Sequence, residues 1–128
     1  MAFVKFERPQ KREATEISIC ETGEIKINRA ASKKYNVFKF KHVIFHFDPD
    51  GERVGVELTN DELDPGAVKI IRKKDGSCAM KAEAFTKHFD IKYYETRNFA
   101  PEFDKSAKMI IFDLNEAPRR KRAGYQRG

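Results

Sequence analysis

Histidine and cysteine, the residues that most often carry chemistry, are few in this sequence and widely spaced. His42 and His46 fall on one face of a predicted strand, about 13 Å apart at roughly 3.3 Å per residue, which is too far for one shared zinc ion. His88 lies alone on a predicted helix. Cys20 and Cys78 stand in strand-like apolar runs, where a cysteine is usually a small buried side chain. We therefore expect no metal site, no catalytic thiol and no cofactor.

Acidic and glycine patterns do not predict a catalytic site either. Asp48, Asp50 and Glu52 have the spacing of a calcium loop's first ligands, but Pro49 and the lack of a closing glutamate indicate a hairpin turn instead. The sequence contains neither the GxGxxG pattern nor a P-loop. We therefore expect a protein that is not an enzyme.

Basic residues, by contrast, are clustered. Six of them and no acid lie between Lys26 and Lys41, and a second basic run lies between Lys69 and Lys74. Lysine and arginine bind phosphate groups, so these runs predict contacts to a nucleic-acid backbone. The candidate binding residues of the body are Lys26, Arg29, Lys33, Lys34, Lys39, Lys41, Lys69, Arg72, Lys73 and Lys74. Acids are clustered separately, with seven between Asp48 and Asp64 against one arginine.

The C-terminal stretch from Pro118 to Gly128 is strongly basic. Removing its five positive charges from the net charge of +6 leaves only +1 for residues 1–117. With Gly124 and Tyr125 beside them, these charges are typical of a disordered arm that follows phosphates, and the tail alone predicts a log–log salt slope of about −3.5 on single strands to −4.5 on duplex. The candidate residues are Arg119, Arg120, Lys121, Arg122 and Arg127.

Aromatic residues alternate with lysines in two places. This interleaving is typical of a platform on which unpaired bases stack, although such rings are more often part of a core. The alternating residues are Phe38, Phe40, Tyr93 and Tyr94 with Lys39, Lys41 and Lys92, and Tyr93 is included among the candidate binding residues.

The elements that position these residues follow a plan that occurs twice. Residues 17–36 predict a hairpin followed by a short helix, and residues 68–91 predict the same order, with Gly23 matching Gly76. Each unit is followed by two further strand-like runs. The expected fold class is α+β, an antiparallel strand-rich domain with two short helices and two pseudo-symmetric ββαββ halves. The first helix is capped by Asn28 and buries Ala30, Ala31 and Tyr35; the second buries Ala84, Phe85, His88 and Phe89.

The chain divides into three predicted parts. Residues 1–16 form a flexible arm, 17–117 one domain, and 118–128 a disordered basic tail. Within the domain, strands are expected at 42–47, 53–58, 91–94 and 109–114, with a polar connection over 95–108. The two distant cysteines and the lack of a long apolar run predict a cytoplasmic protein without a membrane partner.

Two families resemble parts of the chain. Taken from His42 to residue 90, four strands followed by a helix are similar to the single-stranded-DNA-binding coactivator fold of the positive cofactor 4 and Whirly type. Taken from Ile17 to Leu58, the order of hairpin, helix and hairpin, with Gly23 in the first turn, resembles the swapped-hairpin DNA-binding domains of AbrB-type regulators. Both resemblances imply a basic surface of sheet and helix that meets DNA as part of a dimer.

The sequence therefore predicts a homodimeric, non-enzymatic nucleic-acid-binding protein that regulates transcription or replication. Single-stranded DNA is the preferred ligand, with duplex DNA and RNA as alternatives, because no predicted helix is long enough to read a major groove. A second interpretation is a protein-interaction module. In that case the acidic hairpin and loop from Asp48 to Asp64 docks on a basic partner, or mimics nucleic acid as small viral inhibitors do.

Overall fold

Short runs of alternating apolar residues form most of the secondary structure. The structure is a computed structural model that describes residues 3–4, 14–91 and 96–115. Its strands are β1 (Ile17–Ile19), β2 (Glu24–Ile27), β3 (His42–Asp48), β4 (Arg53–Thr59), β5 (Ala67–Lys69), β6 (Ile71–Arg72), β7 (Cys78–Lys81), β8 (Arg97–Phe99), β9 (Glu102–Asp104) and β10 (Met109–Asp113). Its α-helices are α1 (Arg29–Lys34) and α2 (Glu83–His88), and a 3₁₀ turn spans Val37–Lys39. No helix within these described ranges is long and apolar enough to span a membrane.

The strands form two antiparallel sheets of five strands each. Sheet A has the order β6-β7-β2-β1-β8, and sheet B has the order β5-β3-β4-β10-β9. With two short helices in addition, the predicted α+β class is confirmed. The hairpin β3–β4 is the longest pairing, running from His42 opposite Thr59 to Asp48 opposite Arg53. Its turn is closed by Asp48, whose Oδ1 accepts hydrogen bonds from the amides of Asp50 and Gly51.

At two places a strand of one sheet leads directly into a strand of the other sheet and forms a corner. The first corner is at Ile70, which separates β5 in sheet B from β6 in sheet A; its amide donates a 2.9 Å hydrogen bond to the carbonyl of Lys41. The second corner is at Ala100 and Pro101, which separate β8 in sheet A from β9 in sheet B. Strands that switch sheets in this way join two packed sheets around one interior.

The core lies between the inner faces of the two sheets. Cross-strand partners lie on the same face of a sheet, so Ile25 opposite Met80 in sheet A and Val43 opposite Leu58 in sheet B both point inward, and all four are buried. The buried side chains of both sheets form one cluster. The outer faces therefore carry the other half of each strand's residues.

Helix α1 forms as predicted. The side chain of Asn28 accepts a 3.0 Å hydrogen bond from the amide of Ala31, which satisfies a donor that the first helical turn leaves unpaired. Ala31 and Tyr35 are buried, and the Tyr35 ring stacks on Phe103 of β9 at 4.9 Å between centroids. The helix thereby fastens sheet A to sheet B.

Helix α2 differs from the predicted orientation. Thr86 is its buried residue, whereas Ala84 and His88, both predicted to point inward, are exposed. Phe85 and Phe89 pack on Phe45 and Phe47 of β3, but Phe89 remains 40% exposed. The helix packs at the rim of the core, so only one narrow side of it is covered.

The segment 95–108, predicted to be a connection, contains β8 and β9. Each is only three residues long, and they belong to different sheets on either side of Pro101. Such short strands show too few alternations for a period of two to be visible. Of the strand predicted over 91–94, Ile91 is buried outside any strand, and the rest lies outside the described residues.

The strand pairing is unchanged when β1, β2, β3 and β4 are exchanged with β5–β6, β7, β8–β9 and β10. Gly23 and Gly76 match under this exchange, and both have positive φ, at 88° and 91°, a conformation that glycine adopts without steric cost. The duplication of a ββαββ unit stays a prediction, because the order of pairing does not measure how closely two halves superimpose.

Candidate nucleic-acid interface

The ten candidate cations of the body are all exposed: Lys26, Arg29, Lys33, Lys34, Lys39, Lys41, Lys69, Arg72, Lys73 and Lys74. Exposure leaves their charged groups accessible to a polyanion. The five basic residues of the tail and Tyr93 lie outside the described residues.

Three of these cations line one cleft at the first corner. We call it the basic cleft; its volume is about 850 Å³, and its lining residues are Phe40, Lys41, His42, Glu62, Lys69, Ile70, Ile71 and Arg72. Against the single carboxylate of Glu62, the cations Lys41, Lys69 and Arg72 give it a formal charge of +2 with His42 neutral. A concave site with this charge suits an anion.

The bend at Ile70 is what brings these cations together. Lys69 pairs with His42 on the outer face of sheet B, and directly opposed Cα atoms of such a pair are about 4.5–5.5 Å apart. Lys41 precedes His42, and its carbonyl accepts the amide of Ile70. Two basic runs that are separated in sequence therefore meet at the corner.

Arg72 is held in place by the 3₁₀ turn. Its Nη2 donates a 2.6 Å hydrogen bond to the carbonyl of Phe38, and its guanidinium lies 4.8 Å from the centroid of the Phe38 ring. Phe38 and Phe40 are partly buried against the core. The Phe38 ring therefore already has the Arg72 guanidinium over it, while Phe40 contributes to the wall of the cleft. The stacking of bases on these rings stays a prediction.

One wall of the cleft contains an unsatisfied polar atom. Nδ1 of His42 is buried and has no hydrogen-bond partner, and it is the only such side-chain nitrogen or oxygen among the described residues. Buried polar atoms are nearly always paired in folded proteins.

Further cations extend from the cleft across the outer face of sheet A. Lys26 lies opposite Ala79, which lies opposite Ile71 of the cleft. Lys26 and Lys73 both act on the thiol of Cys20: burial is the largest influence and raises its pKa, while the two ammonium groups lower it by less. Both lysines therefore lie within electrostatic range of Cys20.

The turn between β6 and β7 adds Arg29 to this region. The aliphatic part of the Arg29 side chain packs on Gly76, where an added Cβ would come within 2.8 Å of it. The pKa of Asp75 is lowered mainly by the Ser77 hydroxyl and amide, with a smaller contribution from the Arg29 charge. Arg29 of the first basic run therefore packs on the turn that follows the second basic run. Lys33 and Lys34 lie farther along α1, in its last turn.

The outer face of sheet B has the opposite character. Its outward acids are Asp48, Glu57, Glu102, Asp104 and Asp113, against two outward strand cations, Arg53 and Lys69. Ile44, Met109 and Ile111 are half-buried on this face, and a hollow of about 200 Å³ lies beside Gly55. Of these acids, only Asp48 and Glu57 come from the predicted acidic segment, and Lys69 of the basic cleft lies on this same face, so the predicted separation of charge stays a prediction.

No protein-family model, curated protein or solved structure matches this chain. Its function must therefore be inferred from the site itself.

Cysteine and metal chemistry have little basis in the described structure. Cys20 and Cys78 are free and buried, and burial raises the pKa of both thiols. The Cys78 thiol contacts the Ser32 hydroxyl at 3.6 Å. Among the described residues, no three histidine, cysteine or acidic side chains are grouped closely enough to hold a metal ion.

Sequence reasoning missed four residues of the cleft: His42, Glu62, Ile70 and Ile71. Glu62 belongs to the predicted acidic loop, and Ile70 and Ile71 belong to the predicted hairpin within 68–91. Only the bend at Ile70 brings these residues together with Lys41 and Lys69, and no local pattern in the sequence predicts that bend.

Proposed function

We propose that this chain is a non-enzymatic nucleic-acid-binding protein whose folded domain binds backbone phosphates in the basic cleft. The observation that carries the proposal is the convergence of Lys41, Lys69 and Arg72 on one concave site of about 850 Å³. Cations on adjoining elements neutralise neighbouring phosphates and release counterions, which is the main source of non-specific affinity for nucleic acid.

Single-stranded DNA is the ligand that this geometry favours most. Both α-helices have six residues, or about 9 Å at 1.5 Å per residue, which is short for a helix that reads a major groove. The cleft also exposes Ile71 and part of Phe40 beside its cations. Apolar surface next to positive charge suits an unpaired nucleotide, whose base and phosphate are both accessible.

The wider role proposed is the regulation of transcription or replication in the cytoplasm. The AbrB-type and coactivator resemblances support a DNA ligand, with duplex DNA and RNA as the alternatives. The homodimer also stays part of the proposal, although the two sheets of a single chain already meet at both corners. Light scattering on the full chain separates the monomer from the dimer.

The test is a binding titration with labelled 15-mers of single-stranded DNA, duplex DNA and RNA at matched salt. We expect the single strand to bind most tightly, with an affinity that falls steeply as salt rises. If none of the three binds at low salt, the proposal is wrong.

The outer face of sheet B supports a second candidate, a protein-interaction module. Half-buried Ile44, Met109 and Ile111 lie on this face among its five acids, with Glu57 directly between Ile44 and Met109. Mixed apolar and polar surface of this kind is common at protein interfaces. A basic partner protein is the ligand expected there. Charge-reversing substitutions on this face, such as Glu102→Lys, would weaken the binding of such a partner protein without weakening the binding of oligonucleotides.

A further inference from the structure

Glu62 is the one acid that lines the basic cleft, where it faces the same space as Lys41, Lys69 and Arg72. Its carboxylate forms no ion pair with these three cations in the described structure. A negative charge in a phosphate site repels the ligand unless it accepts hydrogen bonds from it.

The position of Glu62 is fixed by the loop that carries it. The Asn60 side chain donates to the carbonyl of Lys39 and accepts from the amide of Lys41, at 3.2 and 3.0 Å. Asp61 Oδ1 accepts the amide of Leu63, which closes a turn around Glu62. The loop is therefore tied to the same segment that supplies Lys41, which places the backbone of Glu62 beside the cleft.

The hydrogen-bonding chemistry of a carboxylate limits what it recognises. An ionised carboxylate only accepts hydrogen bonds, and in a nucleic acid the donors to it are the imino and amino groups of the bases. On an unpaired guanine, the N1–H and the N2 amino group lie side by side and match two carboxylate oxygens. On thymine, a single N3–H lies between two carbonyl oxygens that repel a carboxylate. Both base edges are accessible only in unpaired strands.

We propose that Glu62 selects unpaired guanine, accepting hydrogen bonds from its N1–H and N2 amino group while Lys41, Lys69 and Arg72 hold the adjoining phosphates. This inference rests on the proposed binding of single strands in the basic cleft. Glu62 would give the cleft a preference for one base, whereas the cations alone would recognise only phosphate and shape. It also accounts for an acid in a cleft that is otherwise cationic.

The experiment compares two labelled 15-mers on the full chain: oligo-dT, and the same oligo-dT with three isolated guanines, which are too few and too separated to form a quadruplex. The variant is Glu62→Gln, and the control is Asp50→Asn, which removes the same charge from an exposed residue outside the cleft. We expect the unsubstituted chain to bind the guanine-containing strand about tenfold more tightly, in the range of one bidentate base contact. Glu62→Gln should reduce that preference to less than about twofold, and Asp50→Asn should retain it.

The alternatives give different results. If Glu62→Gln raises the affinity for both strands by the same factor, Glu62 is only a repelling charge, and the guanine proposal is wrong. Tight, salt-sensitive binding of both strands without a preference in the unsubstituted chain contradicts the guanine proposal and leaves the proposed function standing. If neither strand binds, both proposals are wrong.

Discussion

Each of the two corners of the molecule joins an edge strand of sheet A to an edge strand of sheet B, but the corners differ in their side chains. The basic cleft at Ile70 carries Lys41, Lys69 and Arg72 against Glu62, a formal charge of +2. The second corner, beside Ala100, is a hollow of about 190 Å³ lined by Arg53, Ala100, Glu102, Ile111, Phe112 and Asp113, with a formal charge of −1. The same connection between sheets thus provides a large cationic cleft at one corner and a small acidic hollow at the other.

This difference distinguishes the side chains that pack at a corner from the side chains that line the basic cleft. At the second corner, Phe99 and Phe112 are buried with ring centroids 5.0 Å apart, so the bend is filled by aromatic packing. At the first corner, one aliphatic residue, Ile70, is buried at the bend. The cleft around it is lined by three cations and Glu62, together with Phe40, His42 and Ile71. Bending a strand between sheets requires no charge, so the bend itself does not account for these cations.

The largest expected effect concerns stability at the two corners. Phe99→Ala should lower the free energy of unfolding by about 3–5 kcal/mol, because it removes a fully buried ring and leaves a cavity. Ile70→Ala should cost less, because its side chain is smaller and slightly exposed. Urea unfolding measures both. An equal or larger loss for Ile70→Ala would contradict the assignment of the second corner as the better packed one.

The next effect concerns binding at the first corner. The double variant Lys41→Gln with Lys69→Gln should lower the affinity for a single-stranded 15-mer on the order of tenfold at 0.1 M salt. It should also flatten the log–log salt slope by about 1.4, because each phosphate contact on a single strand contributes about 0.7. Fluorescence anisotropy over a salt series measures both quantities. The matched control is Lys87→Gln with Lys105→Gln, two exposed lysines outside the cleft. Equal losses in the two double variants would mean that net charge, and not the cleft, determines affinity.

A smaller effect is expected from making the second corner resemble the first. Glu102→Lys changes its formal charge from −1 to +1, and should raise affinity for the same 15-mer about two- to threefold and steepen the salt slope by about 0.7. Asp50→Lys makes the same charge change at the β3–β4 turn and serves as the control. A gain as large as the loss in the Lys41 and Lys69 double variant would contradict the distinction between the corners.

The smallest effect is a pH dependence near the second corner. A hydrogen bond from Arg53, with further ones from the amides of Gly51 and Asp50, lowers the pKa of Asp48 below its ordinary value. The folded chain therefore holds this proton less tightly than the unfolded chain. The interaction stabilises the fold above the ordinary carboxyl pKa and is lost as pH falls toward the lowered one.

Asp48→Asn should accordingly make the urea midpoint less sensitive to acid between about pH 5 and about pH 2 than it is in the unsubstituted chain. Parallel pH profiles for Asp48→Asn and the unsubstituted chain would show that the Arg53 contact does not stabilise the fold.

Much of the fold could be predicted from the sequence, because its signals are local. Alternation located β3, β4 and β10, the Asp48 turn closed the longest hairpin, and Asn28 marked the start of α1. The corners were not predictable in the same way. Ile70 and Pro101 interrupt runs that are too short for a period of two to reveal where a strand leaves one sheet for another.

The candidate site was predictable in composition but not in shape. Basic runs identified Lys41, Lys69 and Arg72 as surface cations, since few residues are exposed more consistently. Their convergence depends on the pairing of β5 with β3, which joins segments about 25 residues apart in the chain. Glu62 joined the site only through the Asn60 contacts with residues 39 and 41, which no local pattern encodes.

The most direct test maps the ligand onto the two corners by amide chemical shifts in ¹⁵N-labelled full chain, titrated with a single-stranded 15-mer. We predict that the amides of Lys41, Lys69 and Arg72 shift in proportion to occupancy, while those of Ala100, Glu102 and Asp113 stay in place. Shifts confined to the second corner, or binding that moves neither set, would contradict the placement of nucleic acid in the basic cleft.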